Sequence, residues 1–191
     1  LRRAQQLSDA SVFLKFHSDV DLKNSVIALV TDASFGGQPG GGSQCGYAVA
    51  WGPLAMSTEH GHRSALLDWG STKIRRVVKS TLAAEACGCS TGYDRAVYIR
   101  AIITEMMGFT APTWAERAMR IPQVSLVDAR SLRDHLHKTG SMPTEKRVGL
   151  DLADVREWLD RGTSSSGSRQ ATCSWTRSRS TSRTRRSSTI T

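Results

Sequence analysis

The sequence predicts a mixed α/β domain: an antiparallel three-strand meander joined through a crossover helix to a parallel strand, with further helices flanking the sheet. Three observations predict it. Residues 25–32 (SVIALVTD) form a continuous apolar, β-branched run, as a strand buried on both faces requires. From Ser80 the apolar spacing switches to three and four residues and stays so to about Met107. A second apolar strand, Gln123–Asp128, then precedes two more segments of helical period.

The elements follow in order. Residues 1–24 mix Arg, Gln, Ser and Asp with isolated apolar positions and read as a connector from a preceding region. After the strand at 25–32 comes GGQPGGGSQCG, read as a flexible hairpin loop because it lacks GxxxxGK[ST] and opens no helix. GYAVAW (46–51) and SALLDWG (64–70) are strands, with a loose Gly/Pro/Ser loop between them. Ser80 is the expected N-cap of the long helix. Residues 108–122 hold two Pro and read as a loop. RSLRDHLHK (130–138) is a short helix, and Val148, Leu152, Val155 and Leu159 stripe one from Thr144 to Leu159. Trp69 and Trp158 read as core.

Charge divides the chain. The net charge is +9, but residues 161–191 contribute +7 from seven Arg with no acid or Lys, leaving +2 on the first 160 residues. Seventeen of those 31 residues are Ser or Thr, so the tail is expected to be disordered, being unable to bury enough apolar area to offset chain entropy. The domain is therefore placed at 25–160. No apolar stretch reaches a membrane-spanning length, so no membrane partner is expected. Cys45, Cys87, Cys89 and Cys173 form no CxxC and read as reduced thiols. With LRRAQQ offering no apolar leader, they point to an intracellular setting, and the missing initiator Met fits a piece of something longer.

Chemistry concentrates in three acids. Asp32 ends the first apolar run, Glu85 lies in the first turns of the long helix, and Asp128 ends the second run. A carboxylate at the mouth of a core strand is costly unless something compensates it. Adjacent parallel strands would bring Asp32 and Asp128 together at carboxyl ends, where α/β sheets bind ligands.

The chain carries, in order, Asp32-Ala33-Ser34-Phe35, Gly46-Tyr47, Trp69-Gly70-Ser71-Thr72-Lys73, Ser80-Thr81-Leu82-Ala83-Ala84-Glu85 and Asp128-Ala129-Arg130-Ser131-Leu132. In order and spacing these motifs resemble the RNase H domain of Ty1/copia-type retrotransposon polyproteins. The match covers about residues 25–160, and LRRAQQ resembles the segment that follows the reverse transcriptase. The resemblance implies an RNase H-like sheet and a nuclease cutting the RNA strand of RNA–DNA hybrids, with a reverse transcriptase domain in cis. It would use two Mg²⁺ ions, with Mn²⁺ as a substitute, in a cytoplasmic particle or the nucleus. Asp32 would bridge the metals, Glu85 would hold the one nearer the leaving oxygen, and Asp128 the one carrying the attacking water. Ser34, Lys73, Lys79 and Ser80 would contact nucleic acid; Arg75 and Arg76 lie in the same basic run. Three like charges in one cleft imply that at least one carboxyl group titrates high without metal.

The family carries a fourth acid in a W-V-P…D-x-L-T-K stretch, on a last strand and helix missing here. Reading the codons two bases along suggests where it went. Trp175 followed by Thr176 forces GAC, an Asp, and permitted codons for Ser164 to Ser180 yield VVQWVPAGDMLVDALTK. The tail is thus expected to be a frameshifted reading of the domain's own C-terminus. His60 and His62 read as solvated, and His135 and His137 as lying on different faces of a helix.

Overall fold

In a computed structural model, the chain is described over residues 24–38, 40–58, 62–137, 143–165 and 172–174, and for 162–165 and 172–174 only as backbone. The connector at 1–23, His60 and most of the tail lie outside the described residues.

The elements are β1 (Ser25–Gln38), β2 (Gly42–Pro53), β3 (Ala65–Lys73), α1 (Thr81–Met106), α2 (Trp114–Ala118), β4 (Gln123–Val127), α3 (Arg130–His137), α4 (Lys146–Ser165) and β5 (Thr172–Ser174). They build one sheet in the order β3-β2-β1-β4-β5. β1 pairs antiparallel with β2, and β2 with β3. β4 lies parallel to β1 on its other side, as a crossover through α1 requires. The expected meander plus parallel strand is present.

Three stretches expected as loops carry more structure, one of them a single 3-10 turn at Leu54–Ser57 between β2 and β3. The Gly-rich segment is mostly strand: β1 runs on to Gln38 and β2 begins at Gly42. Glycine is needed at the turn, with Gly40 at φ 79° and Gly41 at φ 75°, and at Gly36 (φ 67°), where the β1–β2 register shifts; Gly41 N–H donates to the Gln38 carbonyl at 2.9 Å. The region 108–122 holds the one-turn helix α2, whose Thr113 hydroxyl accepts from Glu116 N–H at 3.2 Å.

The tail also departs from expectation. α4 continues to Ser165, and Thr172–Ser174 forms a three-residue strand parallel to β4, where no strand was expected. Such pairing needs only backbone groups, and β4 offers a row of them on its far side. Arg161 helps carry α4 past residue 160: it ion-pairs with Glu157 and stacks 5.1 Å from the Trp158 ring centroid.

The main core lies between one sheet face and the helices. Ile27, Leu29 and Val49 pack against Ala86, Cys89, Tyr93 and Ala96 of α1, with Leu132 of α3 and Val148, Leu152 and Val155 of α4. α1 approaches the strands so closely that a Cβ at Gly92 would lie 2.7 Å from Thr31 Cγ2. The opposite face holds a smaller cluster: Val26, Ala28 and Val124, with Leu54 and Met56 from the β2–β3 connection. This asymmetry corrects the placement of Trp69. In register it lies beside Ala48, which pairs with Val30, on the thinly covered face of an edge strand, and it is 56% exposed. Trp158 is packed as expected, with Trp114 at 5.5 Å between ring centroids. Among the described residues no helix is long and apolar enough to cross a membrane.

Candidate metal centre

The strand register assembles the acids. Thr31 is paired with Val127 in the parallel β1–β4 ladder, so Asp32 and Asp128 each follow one residue on, side by side. α1 begins at the same end of the sheet. Its N-cap is Ser80, whose hydroxyl accepts from Ala83 N–H at 3.1 Å, and Glu85 falls in the second turn. One carboxylate oxygen from each of Asp32, Glu85 and Asp128 lies within 4.8 Å of the others. Among the described residues this is the one group of three or more acidic, His or Cys side chains placed to hold a metal. The hairpin and the α1–β4 crossover thus join residues from distant parts of the sequence.

The electrostatics are those of a cation site. Glu85 is buried at 5% exposure, while Asp32 and Asp128 are exposed. Burial, then the charges of Asp128 and Asp32, push the Glu85 carboxyl up from 4.5 to about 7; a hydrogen bond from the Ala33 backbone N–H opposes the rise. This is the high-titrating carboxyl expected from the sequence. Among the described residues neither Asp32 nor Glu85 has a Lys or Arg ion-pair partner. An all-oxygen donor set suits Mg²⁺ or Mn²⁺ and lacks the nitrogen and sulfur ligands that zinc sites use. Two exposed carboxylates beside a buried one leave the site open to solvent. The residues present therefore fit a hard divalent ion.

The residues read as nucleic-acid contacts lie at the same end of the sheet. Ser34 and Lys73 flank Gln44 in one row across β1, β2 and β3, two positions beyond the row of Asp32, Gly46 and Ser71. Ser34, Lys73 and Lys79 are exposed. Ser80 is half-buried, its oxygen already accepting the capping bond, with its O–H still able to donate. Arg75 is exposed, but Arg76 is committed elsewhere: it ion-pairs with Asp151 of α4, and the carboxylate raises its pKa further. That pair ties the segment before α1 to α4. Ile74 anchors the same segment, buried against Cys45 and Ala84, with its N–H donating to the Ser43 carbonyl at 2.8 Å.

Among the described residues no histidine joins the three acids. His135 Nδ1 lies 2.8 Å from the Ser131 carbonyl, one turn back along α3. Cys87 and Cys89 face different clusters of the core, as two positions two apart on a helix must.

No protein-family model matches this chain, and no curated protein matches it. Among solved structures, it is similar to an RNase H1 from the halophilic archaeon Halobacterium salinarum (13% identity, 71% of this chain and 78% of that one, TM-score 0.41). It is also similar to the N-terminal RNase H domain of a Mycobacterium tuberculosis protein, solved as a fusion with maltose-binding protein (14% identity, 79% and 81%, TM-score 0.45). A third is the protease-reverse transcriptase of prototype foamy virus (12% identity, TM-score 0.38), where the match covers 78% of this chain but 18% of that one. The strand order, with three antiparallel strands and a parallel fourth flanked by helices, is an RNase H-like fold.

Proposed function

We propose that this chain is the RNase H-type domain of a copia-type retroelement polyprotein, a metal-dependent endonuclease that hydrolyses the RNA strand of RNA–DNA hybrids. A reverse transcriptase region in cis would supply the hybrid, inside a cytoplasmic particle or the nucleus. The observation that carries this reading is the convergence of Asp32, Glu85 and Asp128 within 4.8 Å, where β1 passes the carboxyl end of β4. These three would hold two Mg²⁺ or Mn²⁺ ions, which supply activation of water and charge stabilisation at the phosphodiester. The chain's own part is to fix the donors. β1 and β4 hold two acids in register, and the capped, closely packed α1 holds the third. Lys73 and Lys79 give the phosphate backbone positive charge, and Ser34 and Ser80 give it hydroxyl donors. Selection of RNA would come from contacts to the 2′-hydroxyl.

Cleavage of an end-labelled RNA–DNA hybrid tests the reading. Mg²⁺- or Mn²⁺-dependent cutting is expected, with Asp32→Asn slower by at least about 100-fold, as for loss of one group that stabilises transition-state charge. Calorimetric titration with Mg²⁺ should lose heat in the same variant. Cutting that ignores Asp32→Asn would refute the metal-site assignment.

The tail favours a second reading, a catalytically inactive remnant that at most binds nucleic acid. Residues 161–191 contain no acid to serve as a fourth ligand, and their codons are compatible with a displaced frame encoding WVP and D-x-L-T-K motifs. The nucleotide sequence across this region is expected to show that frame. If it encodes no such segment, the frameshift is excluded and the tail is a sequence in its own right. A folded, metal-binding protein with no cleavage at any metal concentration would favour the remnant.

A further inference from the structure

Away from the acids, a groove of about 490 Å³ runs between β2–β3 and the last turns of α1, lined by Trp51, Leu67, Ile99, Ile102, Ile103, Met106 and Met107. Its walls are almost wholly apolar side chains, and two are markedly exposed, Ile102 at 39% and Met106 at 81%. An apolar concavity of this size on a small domain marks a place where something packs. The way the chain approaches the sheet indicates what. Ser25 begins β1 opposite Pro53, and two residues on Ile27 pairs with Trp51, a wall of the groove. Ser25 is two strands in from the edge strand β3, roughly 10 Å. The upstream chain therefore arrives at the end of the sheet where the groove opens.

The upstream sequence has a matching segment. Val12–Phe16 is VFLKF, four apolar residues in five, including two of the four Phe in the chain, between polar stretches. Phe16 is eight residues before Asn24, a tether that spans up to about 28 Å when extended. The groove wall from Ile99 to Met107 is only about 12 Å of helix. Because the segment is covalently attached, its effective concentration at the groove is on the order of millimolar, which a free partner would have to exceed.

We infer that the groove is the docking site of the chain's own Val12–Phe16 segment, which clamps the connector against the domain at the end opposite the metal centre. This inference is independent of the nuclease reading. To test it, Leu14 in the full chain is replaced by photoreactive benzoylphenylalanine, and cross-links are mapped by mass spectrometry at low protein concentration. Cross-links within one molecule to residues 99–107 or to Trp51 are expected. In parallel, Phe16→Ser should lower the urea midpoint of the full chain, but not when Met106→Ser and Ile102→Ser are already present. Cross-links between molecules would assign the groove to a second copy. Intramolecular cross-links elsewhere, no cross-links, or additive shifts in the midpoint would each overturn the docking.

Discussion

Glu85→Gln is expected to make the metal-free protein more stable and, on the proposed nuclease reading, to slow cleavage by about 100-fold or more. In the folded state the Glu85 carboxyl titrates at about 7, raised from 4.5 by burial and by the charges of Asp128 and Asp32. Between these values the folded chain holds a proton that the unfolded chain has released. Stability therefore falls as pH rises through this window, and the full cost stands above about pH 7. The size is on the order of 3 kcal/mol. Gln is neutral throughout and keeps an oxygen to accept from Ala33 N–H. Urea denaturation in chelator should thus show variant and parent nearly equal near pH 4.5 and the variant ahead at pH 8. Saturating Mg²⁺ should reverse the ranking, because binding to the folded state stabilises the parent in proportion to RT ln(1 + [Mg²⁺]/Kd). Cleavage should drop by about 100- to 1,000-fold or more. A variant no more stable than the parent at pH 8 without metal would mean that the three carboxylates do not strain one another.

The second large effect is expected at Arg100, remote from any chemistry. Its side chain is 4% exposed and donates from Nε to the Ile121 carbonyl at 2.8 Å and from Nη1 to Gln123 Oε1 at 3.2 Å. Gln123 Nε2 then donates to Ser125 Oγ at 3.1 Å, and Ser125 Oγ to Tyr93 Oη at 2.8 Å. Burial lowers the guanidinium to about 10, still charged at neutral pH. The network pins α1 to the start of β4, the two elements that carry Glu85 and Asp128. Arg100→Ala would leave buried acceptors without donors and a hole in the packing, a loss of roughly 3–5 kcal/mol. For a domain of this size that is on the order of 10 °C in Tm. Arg100→Met combined with Gln123→Leu removes the charge and a principal acceptor together and should recover much of the loss. Thermal unfolding of the two variants checks this; equal losses in both would show that the network contributes nothing beyond side-chain volume.

The two residues differ sharply in how visible they are in the sequence. Asp32 and Asp128 stand out because each ends an apolar run, and a carboxylate there has no bland explanation as strong as a site. Glu85 follows from the N-cap at Ser80 and the helical period. Arg100, in a helical run beside Ile99 and Ala101, carries no sign of burial. Its importance comes from the Ile121 carbonyl and Gln123, which only the return of the chain after α2 brings near. Arg76 reads as one of four similar cations, and its removal from the phosphate-binding set depends on Asp151 of α4.

Misplacements have the same origin. Trp69 alternates like a core residue, but burial also needs something on that face, and among the described residues the helices pack on the other. The Gly-rich hairpin reads as a loop because glycine has weak strand propensity, yet ladder pairing across β1 and β2 extends it to the turn. The apolar pattern, the cap and the acids that end apolar runs determined by themselves the four main strands, the long helices, their order and the three candidate acids, because period and polarity are local properties. Tertiary structure decided the register that sets Asp32 beside Asp128, the burial that raises Glu85, and the partners of Arg76 and Arg100. These depend on distances between segments far apart in the chain, which no local pattern encodes.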